Sequence, residues 1–443
     1  MGALLCVLLP FLASLPAYLL RRWRWPSALI GATVMAALGG LLVGMPLDRP
    51  ISLLGYEGTL ASPAQFFGRA VGLTPLNQTA LAFLYFTGAA LFVLAGVLEP
   101  RTVYPPLGLV VIGLLTGALV VRPLLYGVLF LQLAVALSVL LLPNGASGVR
   151  YLTFYVLALP GLMASHWLLD LYALTPDQPA LLRTATLLIG LSFALMLGLV
   201  PFYPWVPALA RGGTPLPVAL IFSGIGGTVW FLMLDYLQTY PWLQATPQWA
   251  SVLTAFGVGT MVFGGLLGMT HRGMGALLGY AVMVDTGFSI LVLGHTAALG
   301  VELERALMLA RTWGVIVLAA GLAASVRHSE GTESFQAKPG SLFALVMGLL
   351  SLVGFPPTVG FASRWGFYRW LVQEQPFLTA LVLFSSAGPL VGLMRALPTL
   401  LRPSREAIPR LTRRGGLTDV LPALAALGAL VLGLFPQWLI YTR

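Results

Sequence analysis

Apolar residues along the chain form long runs, separated by short polar loops or by loops rich in glycine and proline. A helix that crosses a membrane needs about 20 consecutive, mostly apolar residues. A window of this length predicts about fourteen spans, at residues 2–20, 26–46, 79–98, 104–121, 123–142, 150–173, 179–200, 215–237, 248–270, 274–297, 301–325, 340–372, 377–401 and 418–440. The pattern therefore predicts an all-α polytopic membrane protein.

The first of these runs could be taken for the apolar part of a secretory signal peptide. A signal peptide also needs a cleavage site made of small residues. No such site precedes the basic block at 21–25. We therefore expect residues 2–20 to be retained as a membrane helix.

The composition narrows the class of protein further. Of the 443 residues, 58% are hydrophobic and 9% are charged, whereas a soluble chain carries about 25% charged residues. This excludes an ordinary soluble protein and a disordered chain. The net charge of +10 is ascribed to basic loops beside the membrane, so no nucleic acid partner is expected. A lone Cys6 excludes a disulfide framework, and four scattered histidines predict no metal site.

Basic residues are distributed unevenly between alternate loops. Fourteen fall in one set of loops, which includes residues 21–24 and 402–414, and seven fall in the other set. The positive-inside rule assigns the richer set to the cytoplasm. We therefore predict a multi-pass protein of the cell inner (plasma) membrane with both termini on the outer side.

Two predicted spans are interrupted at corresponding places. A proline-rich break near 201–207 follows the seventh span, and a break at 354–357 interrupts the twelfth. The offset of five spans places the breaks in opposite membrane orientations. Because many transporters place ion sites at paired broken helices in inverted repeats, we predict two inverted five-helix repeats. The expected segments are the N-terminal helices (1–103), the first repeat (104–237), the second repeat (248–401), and a cytoplasmic basic loop with the C-terminal helix (402–443).

Three motifs lie at and between these breaks. They comprise Leu199–Pro207 with the segment 217–224, then Gly279–Phe288, and then Gly354–Phe361. In this order they resemble motifs of the antiporter-like membrane subunits of respiratory complex I and of Mrp antiporters. Within that family the chain is most similar to the N- or M-type subunit of NADH:quinone oxidoreductase.

The resemblance implies a membrane-arm subunit of a complex I-like oxidoreductase, with other membrane-arm subunits and lipid as partners. Members of the family are thought to move protons through two half-channels, joined at mid-membrane by a row of ionisable residues. Electron transfer would take place in partner subunits. The sequence contains no cysteine cluster, haem motif or glycine-rich dinucleotide loop, so we expect no redox cofactor and no catalytic residue in this chain.

The ionisable positions of the family are changed in this chain. The resemblance aligns the fifth-span glutamate with Gln132, the seventh-span lysine with Met196, and the eighth-span lysine with Gly227 or a neighbour. It aligns the tenth-span histidine with Asp285 and the twelfth-span lysine with Arg364. Arginine does not deprotonate in proteins. The first half-channel is therefore predicted to have lost its proton carriers, and the second to have kept charge of a different kind.

Ionisable residues inside the spans are the candidates for a proton or ion path. They are Asp285, Arg311, Arg364, Arg395, His166 and Asp170. A lone charge at mid-span costs about 2.5–3.5 kcal/mol on insertion scales. Asp285 is therefore either half of a structural ion pair, with Arg311 and Arg364 as partners, or a proton or cation site. A paired Asp285 would stay ionised and relay protons poorly.

Arg364 and the pair His166 and Asp170 have two interpretations each, whereas Arg395 and Gln132 have one. Arg364 is either a fixed central cation or a side chain that reaches the membrane interface, and Arg395 can reach the interface from its place near the inner end of a span. His166 and Asp170 lie four residues apart on one helix face. They form either a proton-access route or a pair near the outer surface. Gln132 is expected to form a hydrogen bond between helices.

These residues predict a degenerate antiporter-like subunit, which acts as a scaffold or carries a partial proton path in its second half. One alternative is an Mrp-type cation/proton antiporter subunit, against which the missing glutamate and lysines argue. A second alternative is a free-standing secondary transporter, and a third is a non-enzymatic assembly protein.

Overall fold

The structure is a computed structural model, which describes residues 2–44, 47, 50–53, 56–59, 64–66, 68–143, 145–175, 177–244, 248–295, 302–329, 332–335, 338–401, 416–435 and 437. The predicted basic loop at 402–414 lies outside the described residues. So do Arg49 and Arg443, which contributed to the predicted orientation, and the ends of the predicted spans at 296–297 and 438–440.

Helices account for most of the described chain. In chain order they are α1 (Gly2–Leu19), α2 (Arg24–Gly44), α3 (Pro75–Leu98), α4 (Tyr104–Val120), α5 (Leu124–Ser138), α6 (Gly145–Leu174), α7 (Pro179–Leu197), α8 (Trp205–Gly212), α9 (Pro215–Ala219), α10 (Gly226–Thr239), α11 (Trp249–Thr270), α12 (Met274–Leu293), α13 (Glu302–Ser325), α14 (Pro339–Val353), α15 (Val359–Glu374), α16 (Pro376–Leu400) and α17 (Leu417–Leu434). A π-helical segment, Leu220–Ile225, joins α9 to α10, and short 3-10 turns follow α5 and α10 at Val139–Leu141 and Pro241–Leu243.

The strands of the described chain are short and lie in the connections between helices. They are β1 (Pro50–Leu53), β2 (Tyr56–Thr59), β3 (Ala64–Phe66), β4 (Arg69–Val71), β5 (Val121–Arg122), β6 (Val326–Ser329) and β7 (Thr332–Phe335). β1 pairs with β2, β3 with β4, β4 with β5, and β6 with β7, all antiparallel.

Twelve helical segments among the described residues are long and apolar enough to cross a membrane, counting α9 through α10 as one segment. Two further apolar helices, α4 and α14, are shorter, and with them the number reaches the predicted fourteen. The predicted all-α polytopic class is confirmed. The agreement has a simple cause, because long apolar runs bounded by glycine, proline or arginine mark both ends of a span.

The two predicted breaks have the same local structure. α7 ends at Leu197 and α14 ends at Val353. Each is followed by a glycine in the left-handed region, Gly198 with φ 66° and Gly354 with φ 80°, where residues with a Cβ are strained. A proline-containing turn follows in each case, before α8 and before α15 begin. The inverted relation between the two repeats stays a prediction.

The chain divides into two compact units. Unit 1 comprises Met1–Leu197 and Leu220–Thr246, and unit 2 comprises Gly198–Ala219 and Pro247–Arg443. In unit 1, α2 packs on α3 and α6 packs on α7, whereas in unit 2 α11 packs on α12 and α13 on α14. The predicted division into four segments stays a prediction.

Within unit 2, the short helix α8 packs closely on α12. A Cβ atom on Gly279 would lie 2.6 Å from the Cα atom of Pro207, so only glycine fits at this contact. Since α12 also packs on α13, unit 2 surrounds the middle of α12 with helices. Nineteen of the twenty residues of this span, Met274–Leu293, are buried, Gly275 being the exception, and Asp285 lies among the buried ones.

Candidate functional site

A buried ion cluster lies at the middle of α12 in unit 2. The Arg364 Nη2 atom on α15 lies 2.5 Å from the Asp285 Oδ1 atom, and the Arg311 Nε atom on α13 lies 3.4 Å from Asp285 Oδ2. The exposed side-chain fractions are 3% for Asp285, 1% for Arg364 and 6% for Arg311. Both predicted partners of Asp285 are therefore present, and three separate spans contribute to the cluster.

Arg364 is also bound to the helix break itself. Its Nη1 atom donates a hydrogen bond of 2.6 Å to the Val353 carbonyl, and its Nη2 atom donates one of 2.6 Å to the Leu352 carbonyl. These are the last carbonyls of α14, which have no partner within their own helix. The negative end of the helix dipole favours a cation at this position. Arg364 is therefore a fixed cation at the break rather than a side chain that reaches the membrane interface.

The glycine of the break makes room for this arginine. A Cβ atom on Gly354 would lie 2.5 Å from the Arg364 Cδ atom. The Arg364 guanidinium also lies over the Phe288 ring, with its carbon 4.6 Å from the ring centroid. A cation placed over an aromatic face is stabilised by the negative charge of that face. The position of Arg364 is thus set by carbonyls, a carboxylate and a ring at once.

An apolar cluster lies beside these charges. Its buried members include Phe288, Leu291, Leu307, Phe367 and Tyr368, which come from α12, α13 and α15. Water is largely excluded from such a region, so electrostatic interactions act at longer range than at the surface. Arginine keeps its charge in proteins, so Arg311 and Arg364 place two fixed positive charges beside the Asp285 carboxyl group.

The sequence interpretation missed a buried ionisable group of unit 2 that lies outside the three residues of the ion cluster. Glu304, near the start of α13, has no exposed surface. Neither of its carboxylate oxygens has a hydrogen-bond partner among the described residues. In the sequence Glu304 stands between Glu302 and Arg305, so it resembles the polar edge of a span. The signal that could have identified it is its spacing of seven residues from Arg311, which places both on one helix face.

In unit 1 neutral residues stand at the positions where the family's ionisable residues are predicted to be missing. Gln132 on α5 donates a hydrogen bond of 2.7 Å from Nε2 to the Tyr155 carbonyl on α6, the interaction between helices that the sequence predicts. Met196, near the end of α7, is 1% exposed. Its thioether cannot exchange a proton, so neither of these two residues can carry one.

The third lost position, Gly227, is closed by aromatic packing. A Cβ atom on Gly227 would lie 2.8 Å from the Phe83 Cε1 atom. Phe83 in turn makes an edge contact with Phe231 on α10, with ring centroids 5.5 Å apart. A lysine side chain at residue 227 could be accommodated only if the Phe83 ring moved. The space that would hold the family's lysine is therefore filled within unit 1.

The candidates on α6 are not paired with each other. The His166 Nε2 atom and the Tyr236 hydroxyl are joined by a hydrogen bond of 2.7 Å. Asp170 is exposed. A nearby ion pair that the sequence interpretation did not identify joins Arg122 Nη2 to Asp235 Oδ2 at 2.6 Å, with exposed fractions of 27% and 7%. Unit 1 therefore has polar contacts at one end of its helices, and whether they conduct protons stays a prediction.

Arg395 lies apart from the ion cluster. It is exposed on α16, and its Nη1 atom donates a hydrogen bond of 2.8 Å to the Met269 carbonyl near the end of α11. This geometry matches a side chain that reaches the membrane interface and binds a free helix end. The structure thus brings together three of the six predicted site residues, Asp285, Arg311 and Arg364. No group of three or more metal-ligating side chains is present in the described part of the chain.

Buried charges that meet at a broken helix, within an all-α polytopic chain, are typical of membrane transporters. Residues 124–388 match the family model described as "NADH:quinone oxidoreductase/Mrp antiporter, TM". This match covers more than half of the chain. The chain belongs to that family, and the resemblance found in the sequence motifs is confirmed.

Two curated relatives illustrate the sequence similarity. NADH-quinone oxidoreductase subunit N of Deinococcus radiodurans is 31% identical over 275 residues, which is 60% of this chain and 55% of that protein. Subunit N of Chromohalobacter salexigens is 31% identical over 278 residues, or 56% of this chain and 54% of that protein. The chain thus matches about half the length of these relatives.

Solved structures extend the likeness to the whole chain at the level of fold. A chain of the Mrp complex from Dietzia sp. matches with a TM-score of 0.79 and 18% identity, covering 100% of this chain and 51% of that one. A chain of respiratory complex I from Thermus thermophilus matches with a TM-score of 0.70 and 20% identity, covering 100% and 97%. At these identities the comparison establishes a shared fold.

Proposed function

We propose that this protein is a membrane-arm subunit of a complex I-like NADH:quinone oxidoreductase in which unit 1 is structural and only unit 2 takes part in proton movement. Its partners would be the other membrane-arm subunits and the surrounding lipid, and both termini would lie on the outer side of the membrane. The subunit N relatives support this assignment. The chain itself would bind no redox cofactor.

The observation that carries the proposal is the difference between the buried charges of unit 2 and the neutral residues at the compared positions of unit 1. In unit 2, Asp285 is held between Arg364 and Arg311 at the break that interrupts a span. Buried charges inside a membrane are costly and therefore mark functional sites. In unit 1, the positions that would carry protons in the family are a hydrogen-bonded amide, a thioether and a glycine covered by Phe83.

Proton counting on the intact complex tests this division. Gln132→Ala and Met196→Ala in unit 1 should leave the number of protons moved per electron unchanged, because neither side chain carries a proton. Asp285→Asn in unit 2 should lower that number. The matched control is Asp235→Asn, which removes the carboxylate of a paired aspartate from unit 1 instead.

A restoration variant tests the same division from the other side. Gln132→Glu, Met196→Lys and Gly227→Lys are combined, together with Phe83→Ala to make room for the new lysine. We expect the proton count to stay unchanged, because unit 1 serves as a scaffold. A rise in the count would show that unit 1 still conducts once its carriers are replaced, and would contradict the proposal.

The identity of the partners is tested by affinity purification of the tagged chain from its native membrane. Hydrophilic subunits with NADH-oxidising activity should purify together with it. Recovery of the chain as a single species would favour a free-standing transporter instead. Loss of salt tolerance on deletion of the gene, with respiration intact, would favour an Mrp-type antiporter subunit.

A further inference from the structure

The buried charges of the ion cluster do not balance. Arg311 and Arg364 each carry a positive charge that they keep in any protein environment, and Asp285 supplies one negative charge. The three side chains are at most 6% exposed, so solvent screens them little. The cluster therefore carries a net charge of +1 inside the membrane.

Glu304 is the further buried acid that the structure places near this cluster. It lies seven residues before Arg311 on α13, close to two full turns, so both side chains lie on one face about 10.5 Å apart along the axis. Side chains on a helix lean toward its N-terminus, so Arg311 leans in the direction of Glu304. The Asp285 charge also lies within electrostatic range of the Glu304 carboxyl.

The surroundings of Glu304 favour its neutral form. The side chain is 0% exposed, and neither oxygen accepts a hydrogen bond from any described residue. The neighbours Leu303 and Leu307 belong to or pack against the apolar cluster. An ionised carboxylate without a donor in such a place is unfavourable by several kcal/mol, and the group is instead protonated.

Glu304 is therefore an acid buried without a hydrogen-bond partner among the described residues, two turns along α13 from the fixed positive charge of Arg311. The charged and titratable groups on the helices packed around Glu304 are Tyr280 and Asp285 on α12 with His295 just after it, Glu302, Arg305 and Arg311 on α13, Arg364, Tyr368, Arg369 and Glu374 on α15, and Asp419 on α17. Asp285, Arg311 and Arg364 form the ion cluster, and Glu304 is the fully buried carboxyl outside it whose oxygens accept no hydrogen bond from the described residues.

We infer that Glu304 is a proton-binding site of unit 2, which exchanges its proton through the end of the membrane where α13 begins. When the Glu304 O–H bond breaks, the proton leaves toward that end and the electron pair stays on the carboxylate. Arg311, whose contact with Asp285 is the longer one at 3.4 Å, then turns toward Glu304. On reprotonation Arg311 returns to Asp285, and the starting charge is restored.

Two buried hydroxyl groups lie between the ion cluster and this end of α13. Ser289 follows Asp285 by four residues on α12, and Tyr368 follows Arg364 by four on α15, so each lies one turn further along the same face. Neither hydroxyl has a partner among the described residues. Tyr368 packs in the apolar cluster together with Leu307, one turn after Glu304. Both hydroxyl groups are therefore buried polar groups on the side of the ion cluster toward the end of the membrane where α13 begins.

Infrared difference spectroscopy on the full-length chain in lipid nanodiscs tests the inference directly. A titration from acidic to alkaline pH should show loss of the C=O stretch of a protonated carboxylic acid, with the expected shift in D2O. The part of the band that arises from Glu304 should be absent in Glu304→Gln and change frequency in Glu304→Asp. The same part should persist in Glu99→Gln, which removes the separate contribution of a buried acid of unit 1.

Arg311→Gln adds a test of the charge balance. The variant removes a positive charge that favours release, so the band should persist at pH values where it has vanished from the unsubstituted protein. A band that is the same in the unsubstituted protein and in Glu304→Gln overturns the inference. So does the absence of any titrating carboxylic acid band in the unsubstituted protein, which requires no variant to fold.

The role of the bound proton in translocation rests on the proposed function, whereas the proton-binding site does not. A second measurement distinguishes these two claims. In the intact complex, Glu304→Gln should lower the protons moved per electron while Glu304→Asp retains them. A titrating Glu304 band supports the binding site by itself. An unchanged proton count in Glu304→Gln overturns the role in translocation and leaves the spectroscopic result standing.

Discussion

Units 1 and 2 are both built from apolar spans, but they differ in the polar groups that they bury. In unit 1 the positions compared above hold neutral residues, and the salt bridge of Arg122 with Asp235 leaves 27% of the arginine side chain exposed. In unit 2 the side chains of two arginines and an aspartate are each at most 6% exposed. The difference teaches that apolar spans alone do not indicate a charged site, because the few polar side chains buried between the spans decide its chemistry.

The largest effect on stability is expected from Asp285→Asn. The substitution leaves Arg311 and Arg364 buried without a counter-charge, and breaking a buried pair in this way costs about 3–5 kcal/mol. Thermal unfolding of the purified chain in detergent measures the loss. Asp235→Asn in unit 1 should cost clearly less, because Arg122 can reach solvent. Equal losses in the two variants would contradict the comparison.

The next effect is expected from Gly354→Ala. The residue has φ 80°, which costs an L-amino acid about 1–2 kcal/mol, and the new methyl group would collide with the Arg364 side chain. The free energy of unfolding should fall by about 2–3 kcal/mol. Gly366→Ala on the same helix, α15, meets no atom within 4 Å and serves as the matched control. A loss as large in Gly366→Ala would show that helix α15 tolerates no added methyl group at all.

A pH-dependent effect is expected from Glu99, the residue that follows α3 in unit 1. Burial raises the pKa of the Glu99 carboxyl from 4.5 to about 7, against the lowering influence of the backbone hydrogen bond and charge of Arg101 and of the Arg24 charge. Since the folded state holds the proton more tightly, this contribution is full below pH 4.5 and is lost as the pH rises through 7.

Comparison with Glu99→Gln isolates this contribution, because glutamine stays neutral at every pH. The stability of the unsubstituted protein relative to the variant should fall by on the order of 3 kcal/mol between pH 4.5 and 8, as measured by thermal unfolding. A difference that is constant with pH would show that Glu99 does not titrate in this range. The result would also show whether Glu99, at the end of a span in unit 1, is a titratable acid.

The smallest effect is expected from Gln132→Leu. The substitution removes one hydrogen bond between α5 and α6, and such bonds contribute about 0.6 kcal/mol in membrane proteins. Differential scanning fluorimetry should show a small decrease of the unfolding temperature with unchanged assembly. A decrease as large as that of Asp285→Asn would indicate that Gln132 has a role beyond the contact with Tyr155.

Most of the fold was predictable because span boundaries follow from local features. The apolar run 274–297 and the proline breaks mark their elements without knowledge of the neighbours. The pairing of Asp285 with Arg311 and Arg364 was also predictable, since three charges inside spans need partners. Glu304 was not, because its burial depends on α12 and α15 packing over a position that looks like a span end in the sequence.

Some contacts between helices that are far apart in the chain could not be predicted from the sequence. Nothing in the local pattern shows that Phe83 covers Gly227, since the two residues lie on different helices far apart in the chain. The hydrogen bonds of Arg364 to the Leu352 and Val353 carbonyls likewise depend on the direction in which the chain leaves the break. Packing between helices, rather than periodicity within them, determines these features.

The attachment of Arg364 to the end of α14 has a mechanical consequence. A guanidinium that is bound to two backbone carbonyls cannot stay behind when the break moves, so any displacement of the break along the membrane normal transports a positive charge. A charge that crosses the whole membrane exchanges about 2.3 kcal/mol with each 100 mV of potential. The transmembrane voltage therefore exerts a force on the backbone at this point, through the hydrogen bonds that join the guanidinium to the Leu352 and Val353 carbonyls.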